Sequence, residues 1–208
     1  MPLGAAPSYS AADFITDASN QAALAFLADP GAWPDGRLAL HGPAGVGKTH
    51  LAHVLGWPLL MGSALRGLPP QPVEPSIIDD ADMVPEPAAL LHAINAAREA
   101  RQPLLLLGRA PPARWYAAPP DLVSRLRATT LAAIEEPSDA LLAAVLAKQL
   151  ADRQLAVAPA LQSLLLLHLP RDAASVAGAA ALLDQAALAS GRLNRATILD
   201  VLRDSFAR

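Results

Sequence analysis

Eight consecutive residues, Gly42-Pro43-Ala44-Gly45-Val46-Gly47-Lys48-Thr49, match the pattern G-x-x-x-x-G-K-[ST] at every fixed position. These residue types suit polyphosphate chemistry. Glycines let successive backbone N–H groups turn inward around phosphate oxygens, and a helix starting near Lys48 adds the positive end of its dipole. In such a loop the lysine reaches the β- and γ-phosphates and the threonine hydroxyl ligates Mg²⁺. Further on, Ile77-Ile78 reads as a short buried strand that ends in Asp79-Asp80. A carboxylate at a strand end can hold the hydration shell of a metal, and its neighbour can orient an attacking water. Asp79 is assigned the metal side and Asp80 the catalytic side. Two acids after a strand are also what a solvated turn looks like; the phosphate loop on the preceding strand favours the functional reading. Asp82 is read as surface charge.

Other chemistries find little support. Cysteine is absent, which excludes a disulfide scaffold and thiolate metal sites. His50 and His53 share a helix face, but without a carboxylate partner they read as packing or hydrogen-bonding groups rather than metal ligands. Trp33 and Trp115 read as packing residues rather than stacking platforms for bases. With 16 Lys and Arg against 19 Asp and Glu, the formal net charge is −3. An autonomous DNA binder would need a basic footprint, so any action on nucleic acid is expected to run through a partner, without direct sequence-specific DNA contact. No apolar run approaches the length of a membrane span, and the first residues lack the pattern of a signal peptide, so a soluble cytoplasmic protein without membrane contact is expected.

Several elements must position these residues. Residues 1–12 read as an arm. A helical pattern opens at Ser19-Asn20 and runs through Leu27, stopped by Pro30 and Gly31. Leu38 to His41 is an apolar strand leading into the glycine-rich loop, and a helix from Lys48 carries Leu51, Val54 and Leu55. Residues 62–75 read as an irregular connection, 87–100 as a helix, Leu104 to Leu107 as a strand, Gly108 to Pro120 as a proline-rich loop, and 129–134 as a last short strand. Strands alternating with helices predict a parallel sheet covered on both faces. After Glu136-Pro137 the pattern becomes purely helical. Ser138 is a candidate N-cap for a helix through Leu150, followed by helices near 158–168, 172–189 and 195–206. The expected organisation is an α/β nucleotide-binding domain over 13–136 and a helical lid domain over 137–208.

The run from Gly42 to Gly56, GPAGVGKTHLAHVLG, together with Asp79-Asp80, resembles the Hda/DnaA-like AAA+ ATPase family. Asp13-Phe14-Ile15 with Ser19-Asn20 is similar to that family's N-terminal adenine-contacting segment. GRAPPARW and the following PDLVSRL look closest to the Hda branch, the regulatory inactivators of DnaA, and the likeness covers nearly all of the chain. It implies an AAA+ P-loop fold with a lid, and bound ADP or ATP with Mg²⁺. It places Phe14 and Ile15 near the base, Gly42 to Thr49 around the phosphates, and His50 among the nucleotide-binding residues. It also implies an arginine finger at Arg125, a permanent cation offered to the γ-phosphate of a neighbouring molecule. Spacing alone would leave Arg125 and Arg127 as solvated surface charges.

Three departures from the family pattern stand out. Gly108-Arg109 occupies the sensor position after the fourth strand, where a small polar or acidic residue is usual. Asp172-Ala173-Ala174-Ser175 stands where the third lid helix usually starts with an arginine, so weak intrinsic turnover and mainly bound ADP are expected. The start, Met1-Pro2-Leu3-Gly4, lacks the glutamine of a clamp-binding motif, which puts the DNA polymerase sliding clamp in question as a partner. The resemblance implies a regulator that docks on ATP-bound DnaA and stimulates its hydrolysis. The alternatives are a self-assembling AAA+ motor of the helicase-loader kind, hence a homo-oligomer, and a nucleotide-stabilised adaptor that hydrolyses nothing.

Overall fold

The computed structural model describes residues 14–69, 72–190 and 193–206. The chain divides into two compact units: Phe14 with Asn20–Glu135, and Ile15–Ser19 with the residues from Glu136 onward. The first unit holds α1 (Ala18–Leu27, whose start belongs to the second), β1 (Arg37–His41), α2 (Lys48–His53), β2 (Leu59–Met61), β3 (Ser76–Asp79), α3 (Pro87–Ala100), β4 (Leu104–Gly108), α4 (Pro120–Arg127) and β5 (Thr130–Ala133). The second holds α5 (Asp139–Asp152), α6 (Pro159–His168), α7 (Ala173–Ser190) and α8 (Arg195–Phe206). The arm expected over residues 1–12, and Asp13, lie outside the described residues.

Among the described residues the five strands are all parallel, in the order β2-β3-β4-β1-β5. The register sets Leu38 beside Leu105 and Thr130, and Ile78 beside Leu106. Successive strand residues point to opposite faces, and both faces are covered. Ala39, Ile78, Leu104 and Leu106 pack on one face with Leu90 and Ile94 of α3 and Leu122 and Leu126 of α4. Leu38, Leu40, Ile77, Leu105 and Leu107 pack on the other with Ala23 and Leu27 of α1, Leu51 of α2 and Trp33. That two-sided burial is why the central strands are runs of leucine and isoleucine with no polar alternation.

The helical unit is built on similar spacing. Leu142, Leu146 and Leu150, four residues apart on α5, meet Leu165 of α6, Val176, Ala179, Ala180 and Leu183 of α7, and Ile198 and Leu202 of α8. Ser138 caps α5 as expected, its Oγ accepting the Leu141 N–H at 3.0 Å while donating to Asp17 Oδ1 at 3.1 Å. Among the described residues no helix is long and apolar enough to cross a membrane.

Three local readings change. β2 had no expected counterpart: three residues at a sheet edge are too few to show a period, and only pairing with β3 defines it. The helix α4 follows directly from the proline-rich loop. Pro120 sits in its first turn, where a missing N–H costs nothing, and Leu122 and Leu126 supply a buried i, i+4 pair. The helix from Lys48 ends at His53; Val54, Leu55 and Gly56 close with tighter bonds to Leu51, Ala52 and His53, and Gly56 stops it at φ +66°.

At the end of β4 a Cβ built on Gly108 would lie 2.4 Å from the Trp115 ring, whose Nε1 donates to the Ala110 carbonyl at 2.6 Å. Trp115 therefore packs, as expected, and Trp33 does too, its Nε1 donating to Phe26 O at 2.7 Å. Gly108→Ala is expected to displace the indole and cost roughly 1–3 kcal/mol, a fall in Tm of about 2–4 °C per kcal/mol for a chain of this size. Thermal melting with tryptophan fluorescence measures both effects; an unchanged Tm and emission spectrum would count against the tight Gly108–Trp115 approach.

Candidate functional site

The residues singled out around the loop converge at the C-terminal ends of β1, β3 and β4, the edge at which open parallel sheets bind ligands. The loop leaves β1 at His41. A Cβ on Gly42 would lie 2.3 Å from the Ile134 carbonyl oxygen, and the Gly42 N–H donates to Gly108 O at 3.3 Å. Gly45 at φ +77° and Gly47 at φ +99° adopt backbone conformations that L side chains resist. Pro43, Ala44 and Val46 complete the turn, and Gly47 opens α2 with nothing within 4 Å of its built Cβ.

Lys48 is only 8% exposed, and its Nζ donates to the Gly42 and Pro43 carbonyls at 2.8 and 2.7 Å. Burial lowers its pKa; the charges of Asp79, Asp80 and Asp82 oppose that shift, and Arg109 adds to it. His41 is likewise shifted down by burial and by the Lys48 charge. The Thr49 hydroxyl donates to Asp79 Oδ2 at 2.7 Å, so the last loop residue and the end of β3 are joined directly. Asp79 is 6% exposed, and its other oxygen accepts the Asp80 N–H at 2.8 Å. Asp80 itself is left-handed, φ 49° and ψ 45°, a conformation that aspartate tolerates better than most residues.

Phe14 meets the His50 ring edge to face at a centroid distance of 5.6 Å, and His53 Nδ1 lies 2.6 Å from Thr49 O. Ile15 is half-buried and groups with the helical unit. Among the described residues no three histidine or carboxylate side chains gather as a metal-binding group.

Asp82 is not the solvated surface charge expected. Its Oδ2 accepts the Arg109 N–H at 2.9 Å and its Oδ1 is buried, so it ties the segment after β3 to the end of β4. Gly62 and Tyr116 were also missed. A Cβ on Gly62 would meet Asp80 O at 2.3 Å and Asp79 O at 2.9 Å, so only glycine lets this backbone approach the acidic pair. The Tyr116 hydroxyl donates to Ala81 O and Val84 O at 2.8 and 3.2 Å, holding the short turn beyond Asp80. A glycine at the end of an apolar stretch is a weak sequence signal, and a tyrosine's distant acceptor gives none.

Arg125 lies elsewhere. It sits in the last turn of α4, which feeds the N-terminal end of β5, whereas the loop follows the C-terminal end of β1. Because the strands are parallel, Arg125 is at the sheet edge opposite its own phosphate loop. It is half-buried, with Nε buried and unpartnered. In the helical unit Asp172 caps α7, accepting the Ser175 N–H and hydroxyl at 2.7 and 2.8 Å, and the neighbouring Arg171 pairs with Asp139 at 2.6 Å.

Gly62→Ala is expected to push the Asp79–Asp80 backbone away from Thr49 and to lower stability by roughly 1–3 kcal/mol. Gly178→Ala, with open space around its built Cβ in α7, should instead raise stability by about 0.5–1 kcal/mol. Parallel thermal melts of the two variants check the contrast, and a neutral Gly62→Ala would remove the close approach from the site.

No family model matches the sequence, and no curated protein does. Solved structures do match the fold. Domain III of the Thermotoga maritima replication initiation protein DnaA superposes with a TM-score of 0.77 at 17% identity, over 96% of this chain and 97% of that one. A replication initiator DnaA bound to AMPPCP and single-stranded DNA gives 0.68 at 15% identity, over 90% of this chain and 66% of the other. The Thermotoga maritima RuvB Holliday junction branch migration motor gives 0.70 at 16% identity, over 95% and 72%. The chain thus spans nearly all of the isolated DnaA domain but about two thirds of the longer proteins. A parallel five-stranded sheet with flanking helices, followed by a helical unit, gives this chain the AAA+ P-loop fold seen in DnaA and RuvB.

Proposed function

We propose that this protein is an adenine-nucleotide-binding AAA+ regulator of DNA replication initiation, which docks on ATP-bound DnaA and accelerates its hydrolysis with Arg125. The observation that carries the nucleotide half is the meeting of Lys48, Thr49 and Asp79: a buried ammonium inside a glycine turn, beside a hydroxyl–carboxylate pair 2.7 Å apart. Gly42 to Thr49 would surround the phosphates with backbone N–H groups, and Lys48 would exchange its carbonyl partners for phosphate oxygens. Phe14 and His50, which meet ring to ring beside the loop, would lie against the nucleotide; the assignment of Ile15 rests on the resemblance alone. One of the DnaA neighbours is bound to AMPPCP, which supports ADP or ATP as the ligand.

The donor set also fits Mg²⁺, since Thr49 and Asp79 present hard oxygens and magnesium takes one or two carboxylates plus phosphate and water. When bound, that ion would neutralise charge on the β- and γ-phosphates. Asp80, beside Asp79, would orient water. The chain's own turnover is expected to be weak, because α7 opens with the capping Asp172 and Arg171 is engaged by Asp139.

The trans role of Arg125 is supported by its place at the sheet edge away from its own loop, which keeps it apart from the nucleotide proposed for that loop. The DnaA likeness supports DnaA as that partner. The net charge of −3 supports action through a protein rather than on DNA sequence. The sliding clamp rests on residues outside those described and finds no support here.

Mixing the protein with ATP-loaded DnaA should accelerate ATP hydrolysis, and Arg125→Ala should remove that acceleration, on the order of 10³-fold where an arginine finger acts in trans. Arg125→Ala should still bind ADP by calorimetry, whereas Lys48→Ala should not. Stimulation by Arg125→Ala equal to that of the parent would reject the finger, and rapid turnover by the purified protein alone would favour the self-assembling motor.

A further inference from the structure

Arg37 is the first residue of β1 and is 3% exposed. Its Nη2 donates to Asp35 Oδ2 at 3.1 Å, while Nε and Nη1 are buried without an acceptor among the described residues. Asp35 is itself 66% exposed, so its charge is largely spent on water. A buried guanidinium with two unsatisfied donors costs stability.

Its surroundings add further positive charge. Ala39, two residues along the same strand face, packs in the cluster that contains Ala97 of α3 and Leu122 and Leu126 of α4. Strand period two therefore turns Arg37 toward the last turns of those helices, which carry Arg98 beside Ala97 and Arg125 beside Leu126. Arg125 contributes another buried, unpartnered Nε. Burial lowers the Arg37 pKa; Asp35 opposes that, and the charges of Arg125 and Arg98 lower it further. Three cations thus stand at the N-terminal edge of the sheet within reach of one another's charge, and Asp35, bonded to Arg37, is the acid that offsets them there among the described residues.

We propose that Arg37, Arg98 and Arg125 form one anion-binding site for a phosphate-class ligand. Arg125 and Arg98 meet the anion at the surface. Arg37 acts from behind as a fixed buried charge, and the low dielectric around it makes that charge more effective than a solvated one. This deepens the trans role proposed for Arg125 and rests on it only for the source of the phosphate, a nucleotide carried by a partner rather than a free anion.

The probe is inorganic pyrophosphate, titrated against the Lys48→Ala protein so that the phosphate loop does not compete, with chloride at matched ionic strength as control. Thermal melting should show a saturable rise in Tm. Adding Arg37→Met should raise the ligand-free Tm by roughly 2–4 °C, because a buried charge is replaced by an apolar chain of similar volume, and should abolish the pyrophosphate response. Arg37→Lys should retain the response. Arg98→Ala, a surface change that leaves the core intact, should weaken half-saturation roughly tenfold, as expected for loss of one close phosphate contact. No saturable rise, or an undiminished rise in both Arg37→Met and Arg98→Ala, overturns the site. A partner arm separates the two readings. If pyrophosphate behaves as expected but Arg37→Met and Arg125→Ala still stimulate ATP-loaded DnaA, the anion site stands and the trans role fails. If Arg125→Ala abolishes stimulation while pyrophosphate has no effect, the trans role stands and the anion site is overturned.

Discussion

The hydrogen bond from Thr49 to Asp79 is the interaction around which the nucleotide-site proposal is built. It exists because parallel strands present their C-terminal ends at one edge, so the loop after β1 and the acid closing β3 arrive together although β4 lies between their strands. Several features protect that meeting. Gly62 lets the backbone after β2 lie against Asp79 and Asp80, Tyr116 holds the turn beyond them, and Asp82 ties that turn to Arg109. A shift of β3 by one register position would turn Asp79 to the other face and break the pair.

The two edges of the sheet have opposite electrostatic character. At the C-terminal edge a buried lysine stands among three aspartates with Arg109 nearby, an excess of acid that a bound metal ion would offset. At the N-terminal edge Arg37 feels the charges of Arg98 and Arg125, and its bonded acid among the described residues, Asp35, faces water. On the proposed reading one edge holds this chain's nucleotide and the other meets phosphate brought by another molecule. This polarity follows from the parallel topology, which separates the start of β1 from its end by the full height of the sheet.

Departures from the residues usual in the family that the sequence resembles acquire local physical reasons. Gly108 ends β4 because the Trp115 indole lies where a side chain would stand. Asp172 opens α7 because it caps that helix, satisfying the Ser175 N–H and hydroxyl. In each case a residue type that reads as a lost polar contact to nucleotide is a packing or capping choice.

The sequence by itself determined the phosphate loop, the central leucine-rich strands, the long helices of both units and the Ser138 cap, because each is written in a local pattern: fixed glycines, apolar runs, a 3.6-residue period, a hydroxyl before a helix. It also pointed to Asp79 beside the loop, since an acid closing a buried strand is a local signal. It did not show β2 or α4, whose three and eight residues are too short or too proline-marked for a period to emerge. Nor did it show that Gly62 must be a glycine, that Asp82 is tied to Arg109, or that Arg37 is buried within the field of Arg98 and Arg125. Those depend on approaches between segments distant along the chain, and only the folding of the parallel sheet decides which distant segments become neighbours.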